Sequence, residues 1–145
     1  MRAKLLHEAD GQRTFAIVLD AGEEAKACIE TFAREQRITA AQISGIGAFS
    51  DAVLCYFDIE SKTYREIPVD EQVEVASMLG DIGEGPAGES VIHIHLVLGR
   101  RDGAALAGHL GRGHVQPTLE LIITETPSHL RRRKDPETGL ALIRL

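Results

Sequence analysis

His93 and His95 stand two apart in Ser90-Val91-Ile92-His93-Ile94-His95-Leu96-Val97, and a third histidine follows in Ala107-Gly108-His109-Leu110. In a β-strand alternate side chains share a face and each residue advances roughly 3.3 Å, so the two imidazoles are expected side by side, with Cα atoms about 7 Å apart. Two neutral nitrogens at that spacing can grip one ion. A third imidazole from a nearby loop completes a three-histidine set, which binds a divalent metal such as zinc and leaves one coordination position open. The competing reading is a pair of partly buried histidines satisfied by backbone or carboxylate hydrogen bonds. Gly108, Gly111 and Gly113 favour the metal, because they let the backbone around His109 fold closely over a neighbouring strand.

Glu120 is the expected carboxylate for the far nitrogen of a ligating imidazole, or else a solvated strand glutamate. His114 is either a fourth ligand or a loop histidine near the site, and His7 and His129 have no companion in sequence. Ser44 and Ser90 lack a GxSxG elbow, and neither Cys28 nor Cys55 has a histidine at a recognisable spacing, so nucleophilic catalysis has little support. Gly45-Ile46-Gly47-Ala48-Phe49 lacks the third glycine of a phosphate-cradling loop and reads as close backbone packing in a strand. The basic run Arg131-Arg132-Arg133-Lys134 is either a solvated turn beside Asp135-Pro136-Glu137 or a contact for phosphate or an acidic partner.

These residues need a frame. Thr14 to Leu19 reads as a buried strand ending at Asp20. A helix starting at Asp20 or Gly22 follows, with Ala25, Cys28, Ile29, Phe32 and Ala33 as its apolar stripe. Ile38 to Phe49 and Ala52 to Ile59 are two β-rich runs joined around Ser50-Asp51, and Lys62 to Ile67 is the next strand. Glu71 to Ile82 alternates, with Val73, Val75 and Ser77 on one face and Glu74, Ala76 and Met78 on the other. Asp81 to Gly88 is a Gly/Pro-rich loop. The histidine strand spans Ser90 to Leu98, with Ile92, Ile94, Leu96 and Leu98 facing the core, and a turn at Arg101-Asp102-Gly103 reverses the chain. Thr118 to Thr124 and Gly139 to Leu145 are further strands. Strands in series around one amphipathic helix predict an α+β domain with a mostly antiparallel sheet.

The length of 145 residues predicts one domain with a core that needs no disulfide. With 43% hydrophobic and 26% charged residues the chain has the make-up of a globular protein and not of a disordered one. No apolar run approaches the roughly 20 residues that span a bilayer, and with reduced cysteines and no signal peptide a cytoplasmic location is expected. The net charge of −6 argues against autonomous, sequence-independent DNA binding, which draws its affinity from Lys and Arg on phosphates.

Taken in order, Gly45-Ile46-Gly47-Ala48, Val73-Glu74-Val75, Leu79-Gly80-Asp81-Ile82, His93-Ile94-His95, Gly108-His109-Leu110 and Thr118-Leu119-Glu120 resemble the PPC domain, the plants and prokaryotes conserved domain. Order and spacing match from about Thr14 to the C-terminus. The resemblance implies a largely antiparallel α+β fold and a homotrimer in which strands of neighbouring subunits pack together. In plants the domain follows an AT-hook in nuclear DNA-binding proteins that regulate transcription, and stand-alone prokaryotic members are described as candidate DNA-binding proteins. Here Gly99-Arg100-Arg101-Asp102-Gly103 lacks the Arg-Gly-Arg-Pro core of an AT-hook. The plant partner-binding segment Gly-Arg-Phe-Glu-Ile-Leu aligns with Glu71-Gln72-Val73-Glu74-Val75-Ala76, which loses the Gly-Arg start and the aromatic ring. His93, His95 and His109 fall on the family's histidines, which in prokaryotic members look like a metal site.

The expectation is therefore a cytoplasmic, homotrimeric regulatory module with a zinc site, contacting DNA or a DNA-bound protein and open to a small-molecule ligand at the metal. The competing expectation is a metal-dependent hydrolase or lyase acting on a small molecule at the same histidines, with Glu120 as general base.

Overall fold

The computed structural model describes residues 1–144, so Leu145, the end of the expected last strand, lies outside the described residues. Its elements are β1 (Arg2–Ala9), β2 (Gln12–Asp20), α1 (Ala25–Gln36), β3 (Ala40–Asp58), β4 (Thr63–Val69), β5 (Val73–Glu84), β6 (Ser90–Gly99), β7 (Ala105–Glu125), β8 (Arg132–Lys134) and β9 (Ala141–Ile143). The first seven strands form one sheet in the order β1-β2-β7-β6-β5-β3-β4, and β8 pairs with β9. Every ladder is antiparallel. β3 is bonded to β5 along one edge and to β7 along the other, which closes β3, β5, β6 and β7 into a ring.

Helix α1 packs against β7 and β6. It buries Ala25, Ile29, Phe32 and Ala33 in the same core as Ile43, Leu54, Leu96 and Leu98. Phe32 meets Phe15 edge to face, with ring centroids 5.2 Å apart. Complete burial of a side chain such as Ile29 contributes roughly 1.5–3 kcal/mol. The helix begins later than the sequence suggests. Gly22 sits at φ +85° with its N–H donating to Val115 O, so the chain there is still bound to β7. Glu24 is the N-cap, its carboxylate accepting from the N–H groups of Lys26 and Ala27, and Arg37 ends the helix in the left-handed conformation.

Other expectations are corrected by pairing that a local reading does not contain. No break occurs at Ser50-Asp51: β3 runs through it, with register shifts that let the strand hand over from β5 to β4. The Ala107–Leu110 segment is strand, not loop, and the expected 81–88 loop shrinks because β5 continues to Glu84. Met78 is buried with Val73 and Val75, since a bulge between Val75 and Ser77 shifts the alternation by one. β1, absent from the expected strands, has no buried residue, and its Leu5 and Leu6 are exposed. Arg132, expected in a solvated run, is buried.

Candidate metal centre

Register brings the histidines together. His95 lies opposite His109 on the β6–β7 ladder, and His109 lies opposite Cys55 on β3. The strand rule places His93 beside His95, and their Nε2 atoms are 3.2 Å apart. One nitrogen from each of the three rings lies within 4.8 Å of the others. Tetrahedral coordination at 2.0–2.1 Å separates ligand nitrogens by about 3.3 Å, so this arrangement is close to that needed around one ion. Glycine allows it: a Cβ on Gly108 would stand 3.0 Å from Cys55 O, and one on Gly111 2.7 Å from Val53 O. Only residues without a side chain let β7 approach β3 on both sides of His109.

Burial, followed by the charge of His93, pushes the His95 imidazole below its usual range. His109 is lowered by burial, then by His95 and His93. Both shifts favour the neutral ring, the form that ligates metal. The cluster's neighbouring carboxylate is Asp81, opposite His93 on β5, with 3.8 Å between His93 Nδ1 and Asp81 Oδ2. Asp81 also forms a close ion pair with buried Arg132, which donates at 2.7 Å to Ala141 O. Burial raises the Asp81 carboxyl, but contacts with His93 and Arg132 outweigh it and hold it below the ordinary range.

Residues 6–127 match the model of the Plants and Prokaryotes Conserved (PCC) domain. The chain belongs to this family. Three solved structures resemble the PPC chain closely. A metal-containing protein of Archaeoglobus fulgidus is 34% identical with TM-score 0.83, over 91% of this chain and 93% of that one. A plant- and prokaryote-conserved protein of Pyrococcus horikoshii is 30% identical with TM-score 0.84, over 99% and 95%. A candidate DNA-binding protein of Bacteroides thetaiotaomicron is 25% identical with TM-score 0.85, over 98% and 96%. A curated relative, the bifunctional protein GlmU of Synechococcus sp. (strain JA-3-3Ab), is 28% identical over 88% of the PPC chain, which spans only 20% of that protein's length.

Two residues expected at the centre are elsewhere. Glu120 lies eleven positions further along β7, between Val18 and Ile46, and is exposed on a broad apolar surface with Ile46, Leu79 and Ile122. Asp81 takes the position beside the histidines because cross-strand register, not proximity along the chain, selects the neighbour. His114, expected as a fourth ligand or as a loop histidine near the site, stands on strand β7 opposite Asp51 and outside the three-histidine cluster. It joins Asp51, with Nδ1 2.9 Å from Oδ1, and that contact is the main reason the Asp51 carboxyl is lowered.

Besides Asp81, three residues beside the histidines carry no signal in the sequence that would place them there. A hollow of about 220 Å³ opens beside His93 and His109, lined also by Lys26, Cys55, Tyr64 and Leu110. Tyr64 meets His109 edge to face at 5.3 Å. Cys55 and Tyr64 come from β3 and β4 and Lys26 from the first turn of α1, so only the folded register could have revealed them. Larger hollows of about 460 and 600 Å³ lie around Glu120 and Ile46, away from the histidine cluster.

Proposed function

We propose that this PPC-family chain holds one divalent metal ion, zinc by its donor set, on His93, His95 and His109, and acts as a homotrimeric regulatory module at DNA or at a DNA-bound partner. The observation that carries the metal is the convergence of three ring nitrogens within 4.8 Å. The metal-containing relative from Archaeoglobus fulgidus supports it. The candidate DNA-binding relative supports a role at DNA, while the net charge of −6 favours a DNA-bound protein over bare phosphate as the immediate contact. The exposed apolar surface of Ile46, Leu79 and Ile122 supports association with further copies. Among the described residues no helix is long and apolar enough to cross a membrane.

Elemental analysis of the native protein and of His93→Ala, with light scattering on the same samples, tests this reading. Near-stoichiometric metal in a trimer, lost in the variant, supports it. A native protein that stays metal-free after zinc is offered refutes it. Retention on DNA that falls steeply with salt would assign the contact to phosphate itself.

The hollow beside the histidines favours a second reading, a metal-dependent hydrolase or lyase for a small molecule. The ion would supply Lewis acidity and a bound water of lowered pKa. Glu120 is too far along β7 to be its base, and Asp81 is committed to Arg132. Metal-dependent turnover in an ester, phosphoester and lactone screen would decide for this reading.

A further inference from the structure

Lys26 is held at the mouth of the histidine site by the start of α1. Glu24 caps that helix and also accepts from the N–H of Gly113 at 3.2 Å, which fixes the first turn against β7. Lys26 lines the hollow with His93 and His109, and no carboxylate of the described residues lies within ion-pair distance of its ammonium group. The other charges nearby do not answer it. Asp81 is paired with Arg132, and Glu66 stands beside Cys55 on β4 without lining the hollow.

Three neutral imidazoles leave a divalent ion with its full charge, so the ion and Lys26 would place about three positive charges around a small space without a lining carboxylate. At about 220 Å³ the space falls below the roughly 300–1,000 Å³ of drug-sized sites, and Leu110 and Ile94 give part of it an apolar wall. We propose that this hollow binds a short-chain organic carboxylate, its charged end between the metal ion and the Lys26 ammonium group and its carbon chain against Leu110. The proposal rests on the metal reading above and names the ligand class of that site. Lys26 binds the ligand and leaves the ion to the histidines.

Cobalt(II) loaded in place of zinc gives a visible spectrum sensitive to the open coordination position, and propionate is the probe. We expect propionate to change the wild-type spectrum saturably and propionamide to leave it unchanged. Lys26→Met should take up cobalt as the wild type does but bind propionate at least about tenfold more weakly, the fold-change expected for losing a charged hydrogen bond. Lys26→Arg should retain binding. Equal propionate affinity in cobalt-loaded Lys26→Met, or propionamide binding as tightly as propionate, overturns the carboxylate site and leaves the metal reading intact. A wild-type protein that takes up no cobalt overturns both.

Discussion

His109 and His114 lie five residues apart on one strand and have opposite surroundings. His109 faces other imidazoles, and burial followed by their charge lowers its pKa without a carboxylate of its own. His114 has a carboxylate at 2.9 Å from its Nδ1 and, among the described residues, no imidazole beside it. The difference shows that a histidine's role on a sheet is set by the strand opposite: β6 presents His95 to the first, and β3 presents Asp51 to the second. Three imidazoles facing one another offer several nitrogens to one ion, whereas a single imidazole beside a carboxylate offers one.

The sharpest way to break this comparison is His109→Ala, which should take the metal content from near one ion per chain to background by elemental analysis. The next effect in size is Asp81→Asn. It leaves the buried Arg132 guanidinium without its charged partner and should cost about 3 kcal/mol in denaturant unfolding, far more than it lowers metal content. If Asp81→Asn instead loses metal and keeps its stability, Asp81 belongs to the ion and not to Arg132.

Asp51→Asn should cost at most about 1 kcal/mol at neutral pH, because the Asp51–His114 pair is partly exposed and screened. The folded-state pKa of Asp51 lies below its unfolded value. Its contribution is therefore complete above the unfolded pKa and disappears as pH falls through the folded one, so wild type and variant should melt alike in strong acid and differ near neutrality. The smallest effect is expected of His114→Ala, which should leave metal content unchanged. Metal loss there would erase the distinction between the two histidines.

Features with a local period were legible in the sequence. The stripe Ala25, Ile29, Phe32, Ala33 and the alternation Ile94, Leu96, Leu98 are buried as expected, and the geometry unites His93, His95 and His109. Features that depend on register were not legible. Asp81 fell where the expected strand Glu71 to Ile82 met the Gly/Pro-rich loop expected from Asp81 to Gly88, while in the fold β5 runs on to Glu84 and a Cβ on Gly80 would come within 2.9 Å of Ile94 Cα. Arg132 read as one of four solvated basic residues, and only its pairing with Asp81 shows why one of them is inside. Polar Ser50 and Asp51 suggested a break where β3 continues, their side chains turned to each other and to His114.

The closure of β3 on β7 also bears on how the molecule is assembled. Their register joins Ala41 to Glu125 and Cys55 to His109, partners that a folding chain must find across long intervening segments. Such contacts form slowly, because the entropy of closing the loop is lost before the pairing returns any energy. The three histidines, by contrast, all lie on the β6–β7 hairpin, where His95 and His109 are direct cross-strand partners, so their meeting does not wait for the closure onto β3. An ion held by all three would therefore pin this hairpin, whose contacts are short-range, ahead of the long-range pairing of β7 with β3. In the folded chain such an ion would add stability by mass action, about 2.7 kcal/mol at a free concentration one hundred times its dissociation constant.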